Sequence, residues 1–271
     1  MANFEIILYK ALSGHQRAIS RRWIMRQRLG TVLAVVVGLL IGTAPARGAD
    51  DEKARAIIDK AIKAKGGAEK VGKFKASTWK EEGTYYGMGD GLPYKGTYAA
   101  VLPDKFRMEI ENVFTIVFDG DKGWSKMSGG EAKAMNKEEL AYYQQQQRGT
   151  LIATLVPLKD KAFTLEALGE TQVDKKPAVG VKVTRKGYPE TKLYFDKKTH
   201  MLIKTVSKTK SPEQKYKEVL QEASYQDYKP VNGVQLPHKI VVKRGGKVYV
   251  DATFEDWKLK EKLDAKTFAK P

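Results

Sequence analysis

The apolar positions of this 271-residue chain change their spacing along its length. Residues 31–42, "TVLAVVVGLLIG", form an unbroken apolar run. Between residues 50 and 65 the pattern is periodic instead: Ala54, Ile57, Ile58, Ala61 and Ile62 recur every three or four positions. That spacing is one stripe of an α-helix, and "GG" at 66–67 stops it. A short helical turn over Glu69–Phe74 follows, and from Ala76 onward the period becomes two.

The period-two region reads as a succession of strands. "STWKEEGTYYG" sets Trp79, Glu81, Gly83 and Tyr85 on one face, and "YKGTYAAVL" gathers Tyr94, Tyr98 and Ala100. In "FRMEI" Phe106, Met108 and Ile110 point away from Arg107 and Glu109. After a turn at Glu111–Asn112, Phe114, Ile116 and Phe118 share one side of the next run. A short strand at Gly123–Met127 adds Trp124. Gly-, Pro- and Asp-rich turns ("GMGDGLP", "LPDK", "DGDKG", "MSGG") separate these runs.

Helical spacing returns in "NKEELAYYQQQQRGTLIATLVPL" (136–158), where Asn136 with Glu139 three residues on resembles a capping box. Leu140, Tyr143, Leu151, Leu155 and Val156 give this segment an apolar side able to lie on a sheet. Strands resume in "FTLEALGETQV", "PAVGVKVTRKG" and "ETKLYFDKKTHMLIKTVSK", the last folded at "DKKTH". They continue from "KEVLQEASYQDYKPVNGVQLPHKI" to "DWKL", turning at Asn232-Gly233 and at "RGG". No linker or repeat divides the region. The pattern predicts one α+β domain, a long antiparallel meander with helices at its start and middle.

The apolar run 31–42 is shorter than the ~20 residues a spanning helix needs. Arg26 and Arg28 precede it and the small residues of "TAPARGA" follow, the layout of a secretory signal peptide with cleavage after Ala46 or Gly48. The expected division is therefore a signal peptide at 1–48 and a single domain at 49–271, placed in the periplasm. The preceding 24 residues are long for such a peptide. Either the true start is near Met25, or "SRRWIMR" belongs to a twin-arginine signal in place of the general secretory one.

Composition removes several chemistries. The chain carries 49 Lys+Arg against 32 Asp+Glu, and the first 46 residues hold only six of those bases and one Glu. The domain is thus basic, with its charges scattered among carboxylates rather than gathered into a nucleic-acid-binding block. Absence of cysteine excludes disulfides, a thiolate nucleophile and a lipidated N-terminal cysteine. His200 and His238 are far apart and form no metal-ligand spacing. "DGDKG" lacks the twelve-residue calcium pattern, and no GxSxG or phosphate loop occurs. Neither an enzyme nor a cofactor is expected.

What remains is apolar area. A curved sheet that does not close needs cover over its concave side, and short helices leave a cleft there. Trp79, Tyr85, Tyr98, Phe106, Met108, Ile110, Phe114, Ile116, Phe118 and Trp124 are the expected lining of a hydrophobic lipid-binding cavity. The helical segment 136–157 is its expected lid, with Tyr143, Leu151 and Leu155 facing inward. Burying each CH₂ contributes roughly 0.8 kcal/mol, so an acyl chain could be held there without any reactive group.

The signal peptide, the helix ending in "KGG", and "VLPDKFRMEI" followed by "VFTIVFDGDKGW" resemble LolA/LolB-like periplasmic proteins. So do the hairpin "LYFDKKTHMLIK" and the strand pair "YQDYKPVNGVQLPHKI", in that order over residues 51–268. The nearest resemblance is to divergent outer-membrane lipoprotein-sorting proteins. It implies an unclosed β-barrel with helices covering its concave face, and a carrier of lipoprotein acyl chains or another lipid. It also implies membrane-bound donor and acceptor proteins as partners. Without a cysteine to acylate, a soluble LolA-type carrier is the nearer analogue. The resemblance further implies a strand arginine that holds the lid by hydrogen bonds. Arg107 is the matching position, although the alternation turns it away from Phe106. The same fold also implies a second possibility, a non-enzymatic envelope interaction or stress-sensing module.

Overall fold

The computed structural model describes residues 46–271, so the apolar run 31–42 and the basic residues before it lie outside the described residues. Helix α1 (Ala46–Lys65) opens this part, starting three residues before the boundary expected at 49, and α2 (Ala68–Lys73) follows. Ala54, Ile58, Ala61 and Ile62 form the buried stripe of α1. Gly66 adopts φ +128°, and a side chain there would collide with the Gly233 carbonyl, only 2.4 Å from the Cβ position. The "GG" stop is thus also a contact point between α1 and the turn at Asn232-Gly233.

Thirteen antiparallel strands follow: β1 (Ala76–Tyr85), β2 (Leu92–Val101), β3 (Lys105–Ile110), β4 (Phe114–Asp119), β5 (Lys122–Met127) and β6 (Lys133–Ala134) before the central helix α3 (Lys137–Ala153), then β7 (Thr164–Val173), β8 (Lys176–Thr184), β9 (Thr191–Asp196), β10 (Leu202–Ser211), β11 (Lys217–Val231), β12 (Val234–Arg244) and β13 (Lys247–Lys260). They make one sheet in the order β6-β5-β4-β3-β2-β1-β13-β12-β11-β10-β9-β8-β7. The two ends of the chain's strand series meet at β1 and β13, while β6 and β7 are free edges, so the sheet is unclosed. Turn chemistry sets the register where the sequence signalled it: Asn112, Asn232 and His200 take positive φ, at +58°, +51° and +58°.

The concave face carries two cores side by side. Over β7–β9, α1 and the end of α3 bury Leu165, Val181, Val183, Leu193 and Phe195 beneath Ile58, Ile62, Ile152 and Leu155. Over β2–β4 a second core contains Tyr98, Ala100, Phe106, Ile110 and Phe118, against which Leu140 and Tyr143 of α3 pack. The convex face is mostly solvated and laced with ion pairs such as Lys80–Asp256 and Lys95–Glu82. One patch of it is covered, where Phe268 near the C-terminus packs on Ala99 and Val117.

Candidate functional site

Cross-strand register assembles the aromatic face. Tyr98 lies opposite Met108, which lies opposite Ile116; Ala100, Phe106 and Phe118 form the next row, and Gly96, Ile110 and Phe114 the one after. Ring centroids are 6.3 Å apart for Tyr98–Phe106 and 6.1 Å for Phe106–Phe118, while Trp79 stacks on Tyr98 at 5.1 Å and on Trp257 at 4.9 Å. Eight of the ten residues expected here therefore share one surface, and Trp257 joins them from β13. Tyr85 sits at the rim of the same face, in a polar cluster. Trp124 does not belong: it pairs with Val117 and packs with Ala99 and Phe268 on the convex side. Its neighbour Gly123 is the residue opposite Phe118. The hairpin's parity, not the apolar character of the side chain, decides which of the two points inward.

Gly123 is where the central helix sits down. A Cβ at this position would lie 2.7 Å from the Met135 sulfur and 3.0 Å from Leu140 Cδ1, so a side chain here would push these two aside. Helix α3 starts with the capping box that Asn136 and Glu139 announce: the Asn136 side chain accepts from the Glu138 and Glu139 amides, and Glu139 accepts from the Asn136 amide. The glutamine run then radiates around the helix. Gln144 donates to the Gly120 carbonyl at 2.8 Å and Gln146 to Thr209 Oγ1, while Gln145 and Arg148 donate to the Gly187 carbonyl at 3.3 and 2.9 Å. Glu138 pairs with Lys210 at 3.4 Å. The helix thus bridges the β4–β5 turn on one side of the concave face and β8–β11 on the other.

Of the three expected lid residues, Tyr143 covers the aromatic face. Leu155 is buried in the other core and lies past the end of α3, and Leu151 is half-buried on the last turn. The helix is therefore divided at about Gly149. Its first part rests on the aromatic face through few apolar contacts and many polar ones; its last turn is embedded beside α1.

The polar anchor on the far side is built around Arg244, the arginine of the "RGG" turn. Its Nη2 donates to the Tyr142 hydroxyl at 2.8 Å and its Nε to Gln221 at 3.0 Å. The guanidinium lies 3.8 Å from the Tyr249 ring centroid, and Nη1 is 3.5 Å from Glu213. Glu213 in turn accepts from Tyr85 at 2.6 Å, Tyr249 at 2.5 Å and Ser211 at 2.8 Å. Burial works against the charged form of this carboxyl, but the Tyr249, Tyr85 and Ser211 donors outweigh it and hold the group below its ordinary range. Arg107 plays no such part. It pairs with Glu109 on the convex face at 2.8 Å and its side chain is 28 % exposed, against 8 % for Arg244. The arginine that ties α3 to the far side of the sheet comes from β12, a position that spacing around Phe106 could not reveal.

A second carboxyl faces the aromatic surface. Glu81 accepts the Tyr94 hydroxyl, and burial raises its pKa above the usual carboxylate value. Between α3 and the sheet, Leu140 and Tyr143 pack directly against the aromatic rings where the cavity is expected. Two open hollows, of about 280 and 300 Å³, are present: one beside Arg185 and Tyr188, the other around Thr78, Arg107 and Lys258, with Trp79 and Tyr98 also in its lining. Among the described residues no three His, Cys, Asp or Glu side chains gather as a metal-ligand set, and no helix is long and apolar enough to cross a membrane.

No protein-family model matches the chain, and no curated protein does. Solved structures do. A LolA superfamily protein from Nitrosomonas europaea aligns with a TM-score of 0.53 at 13% identity, over 80% of this chain and 97% of that one. A domain described as an outer membrane lipoprotein-sorting protein, from Vibrio parahaemolyticus, gives 0.52 at 9% identity over the same shares, 80% and 97%. A DUF1329 family protein from Desulfovibrio piger gives 0.53 at 12%, again over 80% and 97%. At these identities the likeness is one of fold. The described part of the chain shares the fold of these structures, an unclosed antiparallel sheet with helices across its concave face.

Proposed function

We propose that this chain is an exported, non-enzymatic carrier that takes lipoprotein acyl chains or another lipid between α3 and the aromatic face of β1–β4. The observation that carries this reading is the unequal attachment of α3. Its first part covers Tyr98, Phe106 and Phe118 with Leu140 and Tyr143 only, and is otherwise fixed by hydrogen bonds to carbonyls and side chains. Each such bond contributes about 1 kcal/mol net, so together they amount to a few kcal/mol. Hydrocarbon contact with the face that α3 would uncover is of the same size for a handful of CH₂ groups at roughly 0.8 kcal/mol each. Lid displacement by an acyl chain is then energetically balanced, and the polar anchors re-form when the chain leaves. The lipoprotein-sorting description of the Vibrio parahaemolyticus neighbour supports the same cargo class.

Native mass spectrometry of the protein purified from the cell envelope tests this. A bound lipid, lost on organic extraction and replaced by added fatty acid, is the expected result. Protein that comes from the envelope lipid-free and takes up no fluorescent fatty acid would overturn the carrier reading. The envelope-interaction alternative would then be taken up in its place.

A further inference from the structure

Alternating strand directions gather the β1–β2, β10–β11 and β12–β13 turns at one end of the sheet. Of the seven large hydrophobic side chains exposed among the described residues, five are in this sector: Tyr86, Met88, Leu92, Leu220 and Val248, each between 38% and 48% exposed. Their backbones are tied together. The Tyr86 amide donates to the Tyr249 carbonyl at 2.8 Å and the Gly245 amide to the Leu220 carbonyl at 2.9 Å; Leu92 lies opposite Tyr85, and Tyr85 opposite Val250. Hairpin tips and strand ends facing water are normally polar, so five exposed apolar side chains in one sector need a reason.

The charges around them supply one. Lys215, Lys217, Lys243 and Lys247 are exposed in the same sector and have no ion-pair partner among the described residues. Lys208 and Lys210 nearby are paired, with Glu218 and Glu138. Asp90 is the one unpaired carboxylate of the β1–β2 tip. Farther along the same end, the β3–β4 turn with Val113 carries Glu111 and no lysine, which bounds the basic sector. Exposed apolar side chains at the same end as unpaired lysines match an anionic lipid surface, where the former enter the headgroup–acyl boundary and the latter meet the phosphates.

We infer that this rim docks the protein on anionic membrane surfaces. The inference goes beyond cargo: it holds whether or not the aromatic face binds lipid. Lys243 and Lys247 flank Arg244 in chain order, so docking brings the membrane next to the strand that holds the lid.

The test is vesicle flotation with residues 47–271, the compact unit of the structure, which keeps the apolar run 31–42 out of the experiment. Vesicles of phosphatidylcholine alone are compared with vesicles enriched in phosphatidylglycerol. Binding at least about tenfold stronger to the phosphatidylglycerol vesicles, and lost at high salt, is expected. K243E/K247E and M88D/L220D, each checked for unchanged circular dichroism, should both lower it at least about tenfold. Equal binding to the two vesicle types would overturn the inference and leave the rim to an acidic protein partner. Loss with K243E/K247E but full binding by M88D/L220D would overturn it as well, because general basicity would then suffice. Flotation involves no acyl-uptake step, so its failure is distinct from failure of the carrier reading.

Discussion

The two halves of the concave face solve the same problem by different means. Over β7–β9 the cover is α1 and the last turn of α3, with apolar side chains interlocked and the helix further tied by Arg55 to the Leu158 and Phe163 carbonyls at 3.4 and 3.3 Å. Over β2–β4 the cover is the first part of α3, touching the sheet with two apolar side chains and held by glutamines, Arg148 and Arg244. Interlocked apolar packing is lost all at once, on unfolding. Hydrogen bonds to carbonyls can be exchanged for water one by one at small net cost. The difference is why the carrier proposal places the opening over β2–β4 and not over β7–β9.

Substitutions that break the comparison start with the sealed half. Phe195→Ala empties a fully buried position against α1 and should lower global stability by about 3–5 kcal/mol in urea titration; a loss under 1 kcal/mol would mean this half is not the main core. Gly123→Leu forces Met135 and Leu140 away. It should raise fatty-acid or dye uptake severalfold while changing the urea midpoint far less than Phe195→Ala does. Arg244→Met removes the partner of Tyr142, Gln221 and Glu213, leaves that carboxylate buried without its cation, and should weaken lid attachment by roughly 2–3 kcal/mol. Amide exchange of residues 137–148 reads that loss, with α1 as the internal control.

Acid sharpens the same contrast. The Glu213 carboxyl is held below its ordinary value of 4.5, so its stabilising contribution is present above that pH and disappears as pH falls through the depressed value. Glu81 runs the other way: its raised pKa means that the neutral form suits the fold, and the cost of ionising it appears as pH rises above 4.5. The protection of residues 137–148, measured against the intrinsic exchange rate at each pH, should therefore fall below pH 4.5 in the wild type, and Glu213→Gln should show the acid behaviour at neutral pH. The smallest effect belongs to Gln144→Ala, about 0.5–1 kcal/mol of lid attachment and no measurable change in the sealed half.

Period-two and helical spacing were enough to read the meander, the first helix, the Asn136 capping box and most of the aromatic face, because burial on one side writes itself into alternation. Trp124 escaped because a two-residue turn inverts parity, and a large apolar side chain looks the same on either face. The lid's anchors escaped for a different reason. Gln144, Gln145 and Gln146 bind groups 24, 42 and 63 residues away, and the Arg244–Glu213–Tyr85–Tyr142 cluster draws on four separate segments. Such contacts leave no local pattern. The one available signal was an arginine next to a Gly-Gly turn, too common to single out.

Hydrogen–deuterium exchange of residues 47–271, followed by mass spectrometry with and without a long-chain fatty acid, tests the divided helix most directly. Residues 137–148 should exchange faster than α1 and residues 150–155, and the fatty acid should change exchange only there and in β1–β4. Uniform protection along α3, matching α1 and indifferent to the fatty acid, would contradict a detachable lid.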